Sequence, residues 1–184
     1  MRKIVLIFGS IAGLICGVMF FLNHPADQAE AIKNMENGAV IGYATMIISL
    51  SGIFFAVRQY RDKYLGGTIS FGKSFLMGLY ITLVASVIYV AAWEIYYTNF
   101  GSNFGDVYVE YQKQQWTKAG MSAEQISTQV EAQQSMMDMY KNNMVFRMGM
   151  TFLEIFPVGL IISLICAVIF GVVLKNKGEA AASV

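Results

Sequence analysis

Four long apolar stretches alternate with charged or polar connectors along the chain. An α-helix needs about 20 consecutive apolar residues to cross the roughly 30 Å hydrocarbon core of a bilayer. Each of the stretches is about that long and has no charge in its middle. The pattern therefore predicts four membrane-spanning helices, at about residues 4–22, 38–57, 75–97 and 151–174.

The longest polar region, at about residues 104–147, separates the third and fourth stretches. Residues 106–119 favour helix, and Gly120 ends it. Ser122 and Gln125 have the spacing of a capping box, in which side chains satisfy the free backbone N–H groups at a helix start. We therefore expect two antiparallel helices here, and the spacing allows the second to run unbroken into the fourth span.

Positive charge is concentrated in the connector between the second and third stretches and at both chain ends. Lys and Arg beside membrane-spanning segments are retained on the cytoplasmic side, so their placement predicts orientation. We expect an all-α integral membrane protein, a single membrane domain over residues 1–184, with both termini in the cytoplasm and the helical hairpin outside. The residues behind this orientation are Arg2, Lys3, Arg58, Arg61, Lys63, Lys73, Lys175 and Lys177.

Two features of these charged segments have more than one interpretation. The connector cluster, Arg58, Arg61, Lys63 and Lys73, either anchors the topology or binds anionic lipid headgroups or a phosphate. The first apolar stretch is either a cleaved signal peptide or a retained membrane helix. Its length exceeds the roughly 7–15 residues of a typical signal core, which favours retention.

Small residues recur every four positions in the first and fourth stretches. Such spacing lets a neighbouring helix backbone approach closely, and close packing drives helix association in lipid. We predict that spans one and four pack against each other. Contact within one chain is favoured, and contact between subunits stays open. The residues are Gly9, Gly13 and Gly17, and then Gly159, Ser163, Ala167 and Gly171.

The composition argues against several classes of function, namely nucleic-acid binding, zinc binding and catalysis. Hydrophobic residues make up 56% and charged residues 14% of the chain, whose net charge is +1. This balance excludes the basic field of a nucleic-acid-binding protein. Two cysteines inside apolar stretches and a single histidine do not make a tetrahedral zinc site. Because hydrolase, nucleotide-binding and redox motifs are also missing from the sequence, we expect no catalytic residues, no metal and no cofactor.

Glu154 is the first candidate for chemistry, because it lies about one turn inside the fourth stretch. A carboxylate in the membrane is costly without a partner or water. Glu154 and Glu94, which ends the third stretch, could form a proton- or cation-handling site near the outer face, beside a break at Pro157. The alternative is that Glu154 reaches the membrane interface or pairs with Arg147.

Several motifs together resemble a known family. They are the basic start before a Gly-rich first span, Gly42-Tyr43 in the second span, and the stretch from Arg61 to Lys73, Arg-Asp-Lys-Tyr-Leu-Gly-Gly-Thr-Ile-Ser-Phe-Gly-Lys. A polar helical insert and a Pro-containing last span complete the pattern. The chain resembles a bacterial family of small four-span membrane proteins known only as a domain of unknown function, DUF4199. The resemblance implies the architecture and a bacterial cytoplasmic membrane, and it implies no activity.

Two functional hypotheses follow. The first is a non-enzymatic interaction or assembly protein, whose small-residue faces and outer helices contact a membrane-protein partner or a second copy of the chain. The second is a small transporter or channel component that uses Glu154 and Glu94. Transporters usually place ionisable or broken segments near the bilayer midplane. The middles of the spans are uncharged, which favours the first hypothesis.

Overall fold

The computed structural model describes residues 1–101 and 103–174. These residues form α-helices, short turns and one π-helical turn, with no strand among them. In chain order the elements are α1 (Arg2–Leu22), α2 (Gln28–Leu50), α3 (Gly52–Tyr64), α4 (Phe71–Phe100), α5 (Phe104–Lys118), α6 (Ala123–Asn142), α7 (Met144–Val168) and a π-helical turn (Ile169–Val173).

Within these described ranges, four helical segments are long and apolar enough to cross a membrane. They are α1, the continuous pair of α2 and α3, α4, and α7 with its π-helical turn, and they contain 21, 37, 30 and 30 residues. Each includes one of the apolar stretches of the sequence. The prediction of an all-helical protein with four candidate membrane spans is confirmed.

The second span begins ten residues earlier than the sequence analysis placed it, at Gln28. Residues 28–37 were predicted to belong to a polar connector. The Asp27 side chain instead accepts a hydrogen bond from the Glu30 backbone N–H at 2.8 Å and caps a helix there. The residues that follow include Ala, Glu, Lys and Met, which favour helix strongly enough to extend it beyond the apolar stretch.

The basic connector is also more helical than predicted. The second span breaks only at Ser51 and continues as α3 to Tyr64, so most of the connector's charges lie on a helix. The remaining link, residues 65–70, turns at Gly66 and Gly67, whose φ angles of +65° and +93° suit glycine. Ser70 then caps α4 by accepting from the backbone N–H of Lys73 at 3.4 Å.

Helix α4 is the centre of the bundle, with α1 packed on one side and α7 on the other. A side chain at Gly13 of α1 would meet the backbone oxygen of Ala85 at 2.8 Å. On the opposite side, Gly159 of α7 lies against Thr82, and Ser163 lies against Gly78. The hydroxyls of Thr82 and Ser163 are 3.4 Å apart.

The prediction that spans one and four pack against each other is therefore wrong. Their small-residue faces do make close helix contacts, but each contacts α4. The physical reason is that α4 carries small residues on two faces, Gly78 and Thr82 toward α7 and Ala85 toward α1. The other predicted packing residues agree with this arrangement: Gly9 faces Val84, Gly17 faces Ala92, Gly171 faces the backbone of Phe71, and Ala167 is fully buried.

Helices α5 and α6 connect α4 to α7 along the chain and pack on each other, with α5 also against α2 and α6 also against α7. They are joined by a turn at Gly120, whose φ is +77°. The predicted capping box at Ser122 and Gln125 is present. Asn143 ends α6, and its side chain accepts from the Phe146 backbone N–H at 3.0 Å to start α7. The expectation of an unbroken helix into the fourth span is thus wrong, because Asn143 adopts an extended conformation and caps a new helix.

Candidate functional site

A buried ion pair joins α4 and α7 where α4 approaches its end and α7 begins. The guanidinium of Arg147 donates from Nε to Glu94 Oε1 at 2.9 Å and from Nη2 to Glu94 Oε2 at 2.7 Å. Both residues are less than one-tenth exposed. Two-point pairing of this kind fixes the orientation of both side chains as well as neutralising their charges.

The remaining donors of Arg147 hold the end of α6. Its Nη1 donates to the backbone oxygens of Tyr140 and Lys141 at 3.0 and 3.2 Å. The last carbonyls of a helix have no partner within the helix, so these bonds cap α6. The guanidinium also lies 4.2 Å from the ring centroid of Tyr97, within range of a cation–π interaction. Arg147 therefore fastens α4, α6 and α7 together.

An aromatic contact reinforces the same junction. The indole of Trp93 on α4 donates from Nε1 to the hydroxyl oxygen of Tyr140 on α6 at 2.6 Å. Burial raises the pKa of Tyr140 to about 12, because the charged phenolate would lose its hydration there. Tyr140 consequently stays a neutral phenol at physiological pH.

Glu154 lies two turns after Arg147 on α7 but has a different partner. Its Oε2 accepts a hydrogen bond from the hydroxyl of Tyr89 at 3.1 Å. In the described part of the chain no Lys, Arg or His nitrogen lies within 4.0 Å of this carboxylate. The alternative of a Glu154–Arg147 pair is wrong, because Glu94 occupies the guanidinium. The two candidate carboxylates thus have separate partners, and only Glu154 lacks a cation.

Glu154 faces a large crevice of about 1260 Å³. The wall formed by α2 contributes uncharged residues, among them Gln28, Asn34, Gly42 and Met46. The end of α1 contributes Cys16, Met19 and Phe20, and the end of α4 contributes Tyr89, Trp93, Tyr96 and Phe100. The beginning of α7 contributes Phe146, Met150, Thr151, Leu153 and Glu154. Residues of α5 and α6 complete the lining. We refer to this space as the crevice.

The chemistry of the crevice is aromatic and flexible, with little charge. Its ionisable lining groups include the carboxylates of Asp27 and Glu154 and the imidazole of His24, and the described lining contains no Lys or Arg. His24 is hydrogen-bonded to the Tyr96 hydroxyl at 3.0 Å. The aromatic and methionine residues of the lining are Phe20, Tyr43, Tyr89, Trp93, Tyr96, Phe100, Phe104, Tyr108, Tyr111, Tyr140 and Phe146, and Met19, Met35, Met46, Met136, Met137 and Met150.

The four predicted headgroup residues lie far from the crevice. Lys73 is in the first turn of α4 and Trp93 is 20 residues later, which is about 30 Å at the helical rise of 1.5 Å per residue. Arg58 and Arg61 both reach Asp62, at 3.7 and 2.7 Å, and Lys63 is exposed beside them. The cluster is therefore a partly paired basic end of the bundle. Lys175 and Lys177, which also entered the orientation argument, lie outside the described residues.

The aromatic residues that α4 contributes to the crevice share a spacing that is visible in the sequence. Tyr89, Trp93 and Tyr96 recur at spacings of four and three residues, which places aromatic side chains along one face of α4. This stripe marks the wall of the crevice. The large contribution of α2 had no comparable signal, because it depends on where α2 lies relative to the other helices. Within the described ranges, no group of three His, Cys, Asp or Glu side chains is close enough to hold a metal ion.

Comparison with known proteins gives one result. A family model described as protein of unknown function (DUF4199) matches residues 7–171. No curated protein and no solved structure is found to match the chain.

Proposed function

Since the chain belongs to the family of proteins of unknown function DUF4199, we propose a role for it from its own geometry: it is a non-enzymatic, multi-pass membrane protein that binds a small molecule in the crevice. The observation that carries this proposal is the crevice itself, with Glu154 in its wall. Ligand sites are concave and mostly apolar, with a few polar groups that orient the ligand. They commonly measure about 300–1,000 Å³, and the crevice, at about 1260 Å³, is somewhat larger.

The polar groups around the crevice support binding more than catalysis. Glu94 and Arg147 neutralise each other, and Tyr140 accepts from Trp93. These interactions hold α4, α6 and α7 in fixed positions. Of the two carboxylates in the lining, Asp27 caps the start of α2, where the helix dipole favours negative charge, whereas Glu154 has neither a cation nor a helix start beside it among the described residues. A rigid, preorganised wall with one such group suits recognition of a ligand.

The proposed setting is the bacterial cytoplasmic membrane, with both termini inside. This orientation is supported by the basic residues on α3 and at the start of α4, since positive residues beside spans are retained in the cytoplasm. The crevice and the pair α5 and α6 lie at the other end of α4. They would then face the outer side, where a ligand arrives from outside the cell or from the outer leaflet.

The sequence pattern favours an interaction or assembly role, whereas the geometry gives more support to the second hypothesis, a transporter or channel component. The small-residue faces offered for assembly are used inside the bundle, against α4. A transporter or channel component built around Glu154 gains support from the crevice. The crevice supports the ligand-binding part of a transporter role. Transport would in addition require passage of the ligand across the membrane.

An interaction or assembly role stays a second candidate because of α6. This helix has no buried residue, and it exposes Met139, which lies outside the crevice lining. Flexible, polarizable methionine side chains suit binding surfaces that adapt to their partner. A membrane-protein partner or a second copy of the chain would contact this face.

Binding in the crevice is tested with the neutral apolar dye N-phenyl-1-naphthylamine and protein in lipid nanodiscs. In a Trp116→Phe background, Trp93 is the remaining tryptophan and lines the crevice, so energy transfer from Trp93 reports a dye bound there. Gly42→Leu places a side chain where nothing lies within 4 Å of a Cβ, and Gly42 lines the crevice. We expect this change to abolish most of the saturable transfer.

The matched control is Gly149→Leu. Gly149 also has open space around it, but it lies outside the crevice lining. We expect Gly149→Leu to bind the dye as the unchanged background does. Equal binding by the two leucine variants, or transfer that never saturates, would contradict a binding function for the crevice.

A further inference from the structure

The charge around the crevice selects the kind of ligand. Two carboxylates line it, and no Lys or Arg does in the described part of the chain. Asp27 already accepts from the Glu30 backbone at the start of α2. Glu154 has one hydrogen bond, from Tyr89, and no cation. Resting on the proposed function, we propose that the ligand of the crevice is a hydrophobic organic cation, with its positive charge at Glu154.

The position of Glu154 makes a cationic ligand favourable. Glu154 is exposed to the crevice, and the hydroxyl of Tyr89 is its hydrogen-bonding partner, so the carboxylate is open to a ligand. A carboxylate within a membrane span is costly without a partner of opposite charge or water. Arg147, two turns earlier on α7, is held by both oxygens of Glu94. A ligand that brings its own positive charge supplies the missing partner. An anionic ligand would instead meet unfavourable repulsion.

The aromatic wall beside Glu154 favours the same charge. The ring of Phe20 packs 4.9 Å from Tyr89 and 4.8 Å from Trp93, measured between centroids. Aromatic faces carry negative electrostatic potential, so they attract ammonium and related cations, and they also contact apolar groups. Such walls recognise quaternary ammonium groups in other proteins. The methionines of the lining add surface that adapts to ligands of different shape.

The geometry favours an organic cation over a metal ion. Ca²⁺ requires six to eight oxygen ligands at about 2.3–2.6 Å, and Mg²⁺ requires an octahedral set. The Glu154 carboxylate has the Tyr89 hydroxyl as its hydrogen-bonded neighbour, with apolar groups such as Leu153 and Phe146 in the same lining. A bulky, weakly hydrated cation uses one carboxylate and the apolar wall together. At about 1260 Å³, the crevice has room for an ion of this kind.

The experiment compares two ions of the same shape and opposite charge, tetraphenylphosphonium and tetraphenylborate. Each is titrated against the dye bound in the crevice of the nanodisc protein, with energy transfer from Trp93 as the readout. We expect tetraphenylphosphonium to displace the dye at a concentration at least about tenfold lower than tetraphenylborate does, a difference of about 1.4 kcal/mol. Equal displacement by the two ions would overturn the inference.

Glu154→Gln tests the residue that carries the charge. This change keeps the size of the side chain. We expect it to lower the affinity for tetraphenylphosphonium about tenfold while dye binding persists. Glu131→Gln on α6 is the matched control, since Glu131 is exposed and outside the lining. Undiminished cation binding by Glu154→Gln would also overturn the inference.

Failure of the two proposals is distinguishable. If the dye binds and Gly42→Leu blocks it, but neither ion is preferred, the crevice binds ligands and the inferred ligand class is wrong. If Gly42→Leu leaves dye binding unchanged, the proposed function itself is wrong. The comparison of the two ions on unchanged Glu154 also keeps the inference testable if the glutamine variant fails to fold.

Discussion

Arg147 on α7 and Glu94 on α4 are held together at two points, 2.9 Å from Nε to Oε1 and 2.7 Å from Nη2 to Oε2. Removing one partner of a buried pair leaves the other charge without compensation, which typically costs about 3–5 kcal/mol. We therefore expect Glu94→Gln to lower the free energy of unfolding by about that amount. The measurement is unfolding of the detergent-solubilised protein with increasing sodium dodecyl sulfate.

Asp62→Asn is the control for the ion pair. It removes a 44% accessible carboxylate from its pairs with Arg58 and Arg61, whose side chains are 61% and 17% accessible. Exposed pairs contribute about 0–1 kcal/mol because water and ions screen them. A loss of stability in Glu94→Gln no larger than that in Asp62→Asn would contradict the importance of the buried pair.

The contact between α1 and α4 gives a second prediction. A Cβ at Gly13 would lie 2.8 Å from the backbone oxygen of Ala85, and backbone atoms move aside less easily than side chains. Gly13→Ala should therefore lower the free energy of unfolding by about 1–3 kcal/mol. Gly149→Ala, where nothing lies within 4 Å of a Cβ, should raise it by up to about 1 kcal/mol through helix propensity. Effects of the same sign would contradict the close approach.

The raised pKa of Tyr140 predicts how stability depends on alkaline pH. In the unfolded chain a tyrosine has a pKa of about 10, whereas burial raises that of folded Tyr140 to about 12. Between these values the unfolded chain releases the proton and the folded protein retains it. The contribution of Tyr140 to stability is therefore complete below about pH 10 and declines as the pH rises toward 12.

Tyr140→Phe separates this effect from other titrations. At neutral pH the variant loses the acceptor of the Trp93 bond, so it should be less stable by about 0.5–1.5 kcal/mol. The stability gap between the two proteins should narrow as the pH rises from 10 to 12, followed by sodium dodecyl sulfate unfolding at each pH. Tyr64→Phe, at a tyrosine that is 65% exposed, serves as the control. A gap that stays constant would mean that Tyr140 ionises normally.

The proposed orientation is tested by cysteine labelling with a membrane-impermeant maleimide. The native thiols, Cys16 and Cys166, are buried, so added cysteines dominate the signal. Lys113→Cys on α5 should be labelled in intact cells, and Lys63→Cys on α3 only after the membrane is opened. The reverse pattern would mean that both termini lie outside, and it would place the crevice in the inner half of the membrane.

The sequence alone identified the four spans, because crossing lipid requires long apolar helices and leaves a direct trace in composition. It also located the close helix contacts, through residues such as Gly13 and Ser163. It misassigned their partner, since a small-residue face shows that a neighbour comes close without showing which one. The identity of that neighbour depends on α4, whose own small residues occur on two faces.

The candidate site was only partly predictable, for a related reason. Glu154 stood out because a carboxylate inside an apolar stretch is unusual. Its bond with Tyr89 connects residues 65 positions apart in the chain, and the pair of Glu94 with Arg147 connects residues 53 positions apart. Such pairings are decided by how the helices are rotated and tilted, which local sequence patterns do not encode. The crevice depends in the same way on the position of α2.

The central place of α4 has a consequence for how the protein is made. The glycine face of α1 packs on a helix that follows it only after α2 and α3. While the ribosome delivers the nascent chain to the membrane, α1 leaves it long before α4 exists, and its glycines then meet lipid or the insertion machinery. Helix α1 thus completes its packing only after α4, which ends at Phe100, has been translated.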